Sequence, residues 1–501
     1  MKKFLSMAIT LVFLSAFILT ACKDPNDDNS KDSAVSTTSA DGRCVADIPE
    51  RNYEGRTFTF LTCGPNALQE SEIVYNTYDD GKEEKLSEVV NDAIKTRNNA
   101  VEQLLNIKIE EQYIFDTAGR NNGLFYNKIR TDIQAGSGDY YVVAPCIYDG
   151  ATLAAGGSLY DLLSDIPYLN MEQLWWDQTF NEELTINNSL YFTVGDLGYV
   201  NKSATAVLIF NKALIAKYNL ENPYELVDNM EWTMDKVFGM AKTISNDDNQ
   251  DGKIDYKDSM GWSGQLDDMW SLFYGSGEKI AAIGSDGYPE LTMYNERSVN
   301  VLDKMLGLVQ DKQHYISAND YFSEAKWPTG LTVQPFVAGR CLFFGAGINC
   351  TDYLDNMSDD FGIVPVPLYD ENQDEYHSLI NPWVSTCFAV PVSVAEEDLE
   401  FVGIVLEAIG AESRNYVYPA YYEVALKYQK TRDDESTRML DKIFESRGCD
   451  LGMIYKWGQL DSLLHQLAAQ EPGTFASSYE SKKDAAQTAL ETTNNYYKQL
   501  D

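Results

Sequence analysis

The sequence predicts an α/β protein built as two lobes of about 200 residues each. Three observations carry that reading. The chain has 501 residues, more than a single hydrophobic core usually organises. Its apolar fraction is 44% and its aromatic fraction 12%, too rich for a disordered acidic chain. Strand–helix–strand order with long crossovers occurs twice, and such order implies parallel strands.

The first element is a leader. Met1-Lys2-Lys3 is a short positive start, and residues 4–19 are apolar except for Ser6, Thr10 and Ser15. That run is short for a spanning helix, which needs about 20 apolar residues, and it fits a secretory h-region. It ends Leu19-Thr20-Ala21-Cys22, small residues before a cysteine. This resembles a bacterial lipobox, which implies cleavage after residue 21 and a lipid on Cys22. Residues 22–54 then read as a lipidated cysteine and tether. The stretch from Lys23 to Gly42 has almost no apolar content, so burial cannot offset its ordering entropy.

The body follows. Residues 57–62 (TFTFLT) read as a strand. From Lys85 to Leu105, Leu86, Val89, Val90, Ala93, Ile94, Val101, Leu104 and Leu105 recur at helical spacing. Residues 107–114 alternate like a strand, and 140–144 (YYVVA) form another after the turn residues 136–139. The pattern returns with the buried-type strand 206–210 (AVLIF). Thr233 is placed to cap a helix whose Met234, Val237, Phe238, Ala241 and Ile244 share a face. Residues 395–408 and 481–500 are further predicted helices.

Charge and motifs narrow the function. With 77 Asp+Glu against 39 Lys+Arg the formal charge is −38, which excludes an ordinary nucleic-acid binder or a polybasic membrane patch. The three histidines, His314, His377 and His465, are far apart, so HExxH-type zinc sites are absent. There is no GxSxG, GxxxxGK[ST] or GxGxxG. After Cys22 seven cysteines remain without a CxxC, and scattered buried thiols are expected rather than a disulfide framework.

The stretch AVLIFNKALIAKYNLENPYELVDNMEWTMDKV (206–237) resembles the signature region of family 1 extracellular solute-binding proteins, the receptors of ABC importers. SGDYYVVAP (137–145), YLNMEQLWWDQ (168–178), FVAGRCLFF (336–344), FGIVPVPLYDENQ (361–373) and NPWVSTCFAVP (381–391) follow the family's order. The resemblance implies a two-lobed periplasmic-binding-protein-like (type II) fold with a hinge and an interlobe cleft that closes on a solute. Residues 55–200 plus 386–435 are assigned to lobe one, and 201–385 plus 436–501 to lobe two. The first crossing is placed near residues 198–206 and the return near 380–389. It also implies a monomeric, non-enzymatic receptor outside the cell, lipid-anchored to the membrane, with a sugar as solute and importer permease subunits as partners.

An acidic stretch adds a cofactor. Residues 247–258 fit the EF-hand loop template, with Asp247, Asn249 and Asp251 at positions 1, 3 and 5 and Gly252 at the turn. Lys253 supplies its carbonyl, Asp255 takes position 9 and Asp258 position 12. Alternate carboxylates wrap one hard cation, so a solitary structural Ca²⁺ is expected. Position 12 is Asp rather than Glu, and Gly261 and Gly264 argue against an exiting helix.

For the cleft, sugar sites stack aromatic rings on pyranose faces and offer carboxylates to hydroxyls. The candidates are Trp383 and Tyr199, at the proposed crossings, and Trp270 with Asp267 and Asp268 in a Gly-flanked acidic loop. Trp175, Trp176 and Trp327 complete the set; adjacent Trp175 and Trp176 cannot both face one side of a helix, so one of them is expected to be buried. Trp383 follows Pro382, whose fixed backbone makes a stiff loop able to present a ring. The alternative class is an extracellular glycoside hydrolase using two carboxylates about 5–10 Å apart. No pair in the sequence nominates itself for that role.

Overall fold

The computed structural model describes residues 38, 39, 42–63, 71–77, 88–114, 123–423 and 433–500. The leader, Cys22 and much of the tether lie outside the described residues, as does the start of the helix predicted from Lys85. No helix among the described residues is long and apolar enough to cross a membrane.

Strand β1 (Arg56–Cys63) is the centre of the first sheet. It pairs in parallel with β2 (Ile107–Ile114) on one side and β3 (Val142–Ala144) on the other. The crossovers are α1 (Glu88–Leu105) and α2 (Leu124–Ala135). Helix α1 buries Val90, Ile94, Val101 and Leu105 of the predicted stripe, whereas Val89 and Leu104 are exposed. Helix α2 stops at Gly136, whose φ of 58° is a left-handed cap that glycine adopts without steric cost. Helices α3 (Ile147–Ala155) and α4 (Gln178–Leu184) follow, the latter capped by Asp177, which accepts from Phe180 N at 3.1 Å.

The second lobe begins at β4 (Ala206–Asn211). Thr233 caps α5 (Met234–Ala241) as predicted, and Met234, Val237, Phe238, Ala241 and Ile244 are all buried. Then come β5 (Ser245–Asn246), β6 (Ser259–Gly264), α6 (Asp268–Gly275) and the hairpin of β7 (Ala281–Ile283) and β8 (Pro289–Leu291). Helix α7 (Glu296–Val309), β9 (Tyr315–Ser317), β10 (Cys341–Gly347) and β11 (Phe361–Val364) complete the lobe.

This sheet runs β11-β4-β10-β6-β5, with β9 also on β6. It is mixed, where the sequence pattern pointed to parallel strands. Strand β4 is antiparallel to both β10 and β11, whereas β6 is parallel to β10 and β9. The reason is local: β4 starts at Ala206 opposite the end of β10 at Gly347, so one strand leaves the lobe junction where the other returns to it.

The two crossing segments lie side by side. Thr205 bridges Ile380, Asn381 N donates to Ala204 O at 3.0 Å, and Ile348 N donates to Thr205 O at 3.0 Å. Strand β12 (Ser378–Leu379) pairs in parallel with β13 (Arg447–Gly448). The returning chain then rejoins the first sheet, where Ala389 bridges Val143 and Phe388 bridges Thr193.

Helix α8 (Leu399–Glu412) packs on α1, and α9 (Asp434–Glu445) packs on β11. Helices α10 (Leu451–Tyr455), α11 (Leu460–Leu467) and α12 (Phe475–Leu500) end the chain. The sequence assigns these last helices to the second lobe, yet they touch both. Tyr497 of α12 meets Tyr191 edge-on at 5.4 Å, while Asn494 donates to Pro289 O at 3.1 Å and Tyr479 stacks on Tyr294 at 5.0 Å. Cys341, Cys350, Cys387 and Cys449 are buried thiols, as expected.

Helix α8 carries a buried acid. Glu407 is 1% exposed and accepts from Asn170 N at 3.4 Å. Burial pushes its pKa from the ordinary 4.5 up to about 8, against the smaller opposing pull of Asn170, Trp175 and Trp176. The folded chain therefore keeps a proton that the unfolded chain releases above about pH 4.5. Stability contributed at this position falls as pH climbs from about 5 to 8 and is flat beyond. Glu407→Gln, which cannot ionise, should melt with the wild type near pH 4–5. Its advantage should grow up to pH 8, to the order of a few kcal/mol. Matched thermal melts from pH 5 to 9 check this; a gap independent of pH would refute the assignment.

Candidate functional site

Four distant parts of the chain meet beside the crossing segments. Asn381 links two of them: its Nδ2 donates to Asp267 Oδ2 at 3.2 Å, and its Oδ1 accepts from Trp383 N at 3.0 Å. Asp267 precedes α6 on the second lobe, so the return crossing is tied to the start of that helix. His465 of α11 stands 3.6 Å from Asp267 and stacks on Trp270, with ring centroids 4.2 Å apart. Trp270 Nε1 donates to Asp461 O at 2.9 Å. From the first lobe, Tyr148 of α3 meets Trp383 edge-on at 6.3 Å, and Lys456 Nζ lies 3.5 Å from the centre of the Tyr148 ring.

Burial sorts the predicted residues. Trp383 is 39% exposed and Asp267 is half-buried, so both can meet a ligand. Trp270 is 9% exposed, and His465 covers one face of its ring. Trp327 is exposed on the second lobe with Lys326 Nζ 5.4 Å from its ring centre.

Asp268, Tyr199, Trp175 and Trp176, four of the predicted ligand contacts, are buried. Asp268 accepts from Trp262 Nε1 at 3.0 Å and Tyr315 OH at 3.1 Å, and burial pushes its pKa up to about 7. A Cβ at Gly264 or Gly345 would come within 1.9 or 2.5 Å of its carboxylate, so both backbones are glycine to admit it. Tyr199 packs on Tyr421 at 5.2 Å, and its backbone N donates to the buried Glu72 at 2.9 Å. Trp175 and Trp176 are 0% and 3% exposed, so the adjacent pair is buried together. Trp175 lies against Gly410, where a Cβ would approach it to 2.2 Å.

Tyr148, Asn381, Lys456, Asp461 and His465 escaped the sequence reading. Their positions in the chain are unrelated, and only the scarcity of histidine distinguished His465. Burial lowers the His465 pKa, with Asp267 and Asp461 pulling the other way, so the ring is neutral at pH 7.

The acidic loop 247–258 joins β5 to β6, so a strand leaves it rather than a helix. Gly252 has φ 83°, and its N donates to Asp247 Oδ2 at 2.8 Å. Asp251 accepts from Lys253 N at 3.0 Å, and Asp251 N donates to Asn249 Oδ1 at 2.8 Å. Asp255 accepts from Lys257 N at 2.8 Å. Asp258 is fully buried and accepts from Asp248 N and Asp255 N, both at 3.0 Å. Among the described residues, no group of three or more His, Cys, Asp or Glu side chains converges as a metal site.

A surface groove of about 630 Å³ lies elsewhere on the second lobe, lined by Leu220, Lys236, Met240 and Asp370 among others. No aromatic side chain lines it, so it lacks a platform for a ring. We place the candidate site at the aromatic and carboxylate cluster instead.

The contrast between two tryptophans is testable by stability. Trp175→Ala should cost about 3–5 kcal/mol, as for a core tryptophan. Trp383→Ala, losing a partly exposed ring, should cost under about 1.5 kcal/mol. Parallel denaturant titrations measure both; equal losses would place Trp383 in the core.

No protein-family model matches the chain, and no curated protein matches its sequence. Solved structures do match. An ABC substrate-binding protein from Listeria monocytogenes in complex with cycloalternan aligns with TM-score 0.51 and 14% identity, covering 88% of this chain and 98% of that one. An ABC transporter solute binding protein from Thermotoga lettingae bound with alpha-D-tagatose aligns at 0.50 and 16%, covering 88% and 100%. An extracellular solute-binding protein family 1 from Alicyclobacillus acidocaldarius aligns at 0.50 and 13%, again covering 88% and 100%. With two main sheets among the described residues, paired crossings and this shared architecture, the chain has the two-lobed α/β fold of the ABC-transporter solute-binding proteins.

Proposed function

We propose that this chain is an extracytoplasmic receptor that closes its lobes on a sugar or oligosaccharide and delivers it to the permease subunits of an ABC importer. A lipid on Cys22 and the tether behind it would hold the body at the outer face of the membrane. The observation behind this reading is the cluster beside the crossings, where Tyr148 of one lobe, Trp383 of the return segment and Asp267 of the other lobe meet. A pyranose offers an apolar face to a ring such as Trp383 and hydroxyl donors to a carboxylate such as Asp267. The cycloalternan and tagatose in two of the similar structures support the same solute class by analogy.

Binding without turnover fits better than hydrolysis. Asp268 has the raised pKa of a general acid but is buried under Trp262 and Tyr315. Its neighbour Asp267 is engaged by Asn381.

The loop 247–258 is read as the site of one structural Ca²⁺. Support comes from the alternate Asp and Asn side chains and from Gly252 at the turn. Binding would draw the side-chain oxygens of Asp247, Asn249, Asp251, Asp255 and Asp258 toward the ion, together with the Lys253 carbonyl.

A glycan panel read by differential scanning fluorimetry tests the receptor reading: at least one saccharide should raise the melting temperature, and none should be cleaved. Stacking one sugar face buries about 100 Å², worth roughly 2.5 kcal/mol before ordering costs. Trp383→Ala should therefore weaken that sugar's binding by about 5–30-fold by calorimetry. Unchanged affinity would remove Trp383 from the site. Separately, Ca²⁺ at about 100-fold over its Kd should stabilise the fold by about 2.7 kcal/mol, and chelator should reverse it. A melting temperature indifferent to both would sink the calcium assignment.

A further inference from the structure

We infer that Asp461 and His465 form the polar recognition pair of this site, and that the site takes a neutral or amino-bearing saccharide and rejects acidic ones. The inference rests on the reading of the cluster as a saccharide site. Asp461 is 4% exposed, and its Oδ1 has no hydrogen-bond partner among the described residues. Its carboxylate also takes a long contact of 3.4 Å from Ser462 Oγ, a hydrogen bond from the Ser462 backbone and the attraction of the Lys456 ammonium. His465 Nε2 is also buried without a hydrogen bond among the described residues; Asp267 Oδ1 stands 3.6 Å away. Buried polar atoms are nearly always satisfied, so two unsatisfied ones beside each other call for a donor and an acceptor from outside.

Their placement supports the same partner. Asp461 and His465 are four residues apart on α11, so they share one helix face. Trp270 borders that face, stacking on His465 and donating to the Asp461 backbone carbonyl. Tyr148 and Trp383 stand across the same cluster through Asn381 and Lys456. A sugar hydroxyl can donate to Asp461 and accept from the His465 N–H, while a ring face lies on an aromatic. An ammonium can donate to Asp461 and Asp267.

The charge balance gives the selectivity. The carboxyls of Asp267 and Asp461 border the cluster, against one lysine, Lys456, whose ammonium lies over the Tyr148 ring and draws on Asp461. The rest of the chain adds to a net charge of −38. A uronate would set another carboxylate among these without an arginine fork to receive it.

Calorimetry on the full chain with neutral, glucosamine-type and uronate oligosaccharides of matched length is the test. A neutral or amino member should bind, with its uronate counterpart at least about 100-fold weaker. Asp461→Asn should weaken the bound saccharide by about 10-fold or more, and His465→Gln by about 5-fold or more. The melting temperature of Asp461→Asn should hold or rise, because a buried charge disappears while the shape stays. Uronate binding as tight as neutral binding, or unchanged affinity in Asp461→Asn, overturns the inference and leaves the receptor reading standing. A collapse of Asp461→Asn stability with intact affinity in the surviving fold marks a structural residue and also overturns it. Failure of the wild type to bind any of the three classes overturns the receptor reading, and this inference with it.

Discussion

The pairing of Thr205 with Ile380 is the constraint on which the architecture depends. Both residues are fully buried, and both belong to segments that leave one sheet and enter the other. The backbone bonds from Asn381 to Ala204 and from Ile348 to Thr205 lock the crossings against each other. Because the crossings are fixed, the ends of β4 and β10 are fixed, and the second sheet becomes mixed. The same register puts Asn381 one residue beyond the pairing, next to Asp267, and Trp383 two residues further on. The candidate site is thus a consequence of how the chain changes lobes.

Buried charges surround this junction. Arg447 pairs with Asp177 and reaches Asn201 Oδ1 at 3.2 Å, while Asp196 binds Lys202 at 2.8 Å and Arg414 at 3.1 Å. Glu72 accepts from Tyr199 N at 2.9 Å and Val200 N at 3.1 Å. Arg97, fully buried, has its pKa lowered to about 10 by desolvation. Such pairs contribute little net stability, since desolvation offsets attraction. Their geometric demands are strict, and at the point where two lobes meet they specify one arrangement of the crossings.

Packing explains why Tyr199, Trp175 and Trp176 are buried. Trp175 needs the missing side chain of Gly410, and Pro167 O sits where a Cβ on Gly403 would come within 1.9 Å. Glycine within a helix costs about 0.5–1 kcal/mol, which close packing of large rings more than offsets. Trp383 differs because Pro382 and the Asn381 hydrogen bond hold it outside any helix or strand, where it is 39% exposed. A tryptophan's role therefore follows from what faces it, and the neighbours come from remote segments.

What the sequence by itself determined is everything carried by local period and local chemistry. The α1 stripe, the Thr233 cap, the strand-like alternation of β2 and the turn at Gly252 all need information from only a few adjacent residues. The resemblance of 206–237 and later segments foretold the two-lobed fold. The tertiary structure alone decided which polar groups meet. Tyr148, Asp267, Asn381 and Asp461 are separated by more than 300 residues end to end, and no periodicity links them. It also decided that Asp268 is buried while Asp267, one residue earlier, stays accessible, because successive side chains at the start of α6 point in different directions. Local rules act over one or two turns of backbone, whereas a binding site is an encounter between surfaces that only the packed chain brings together.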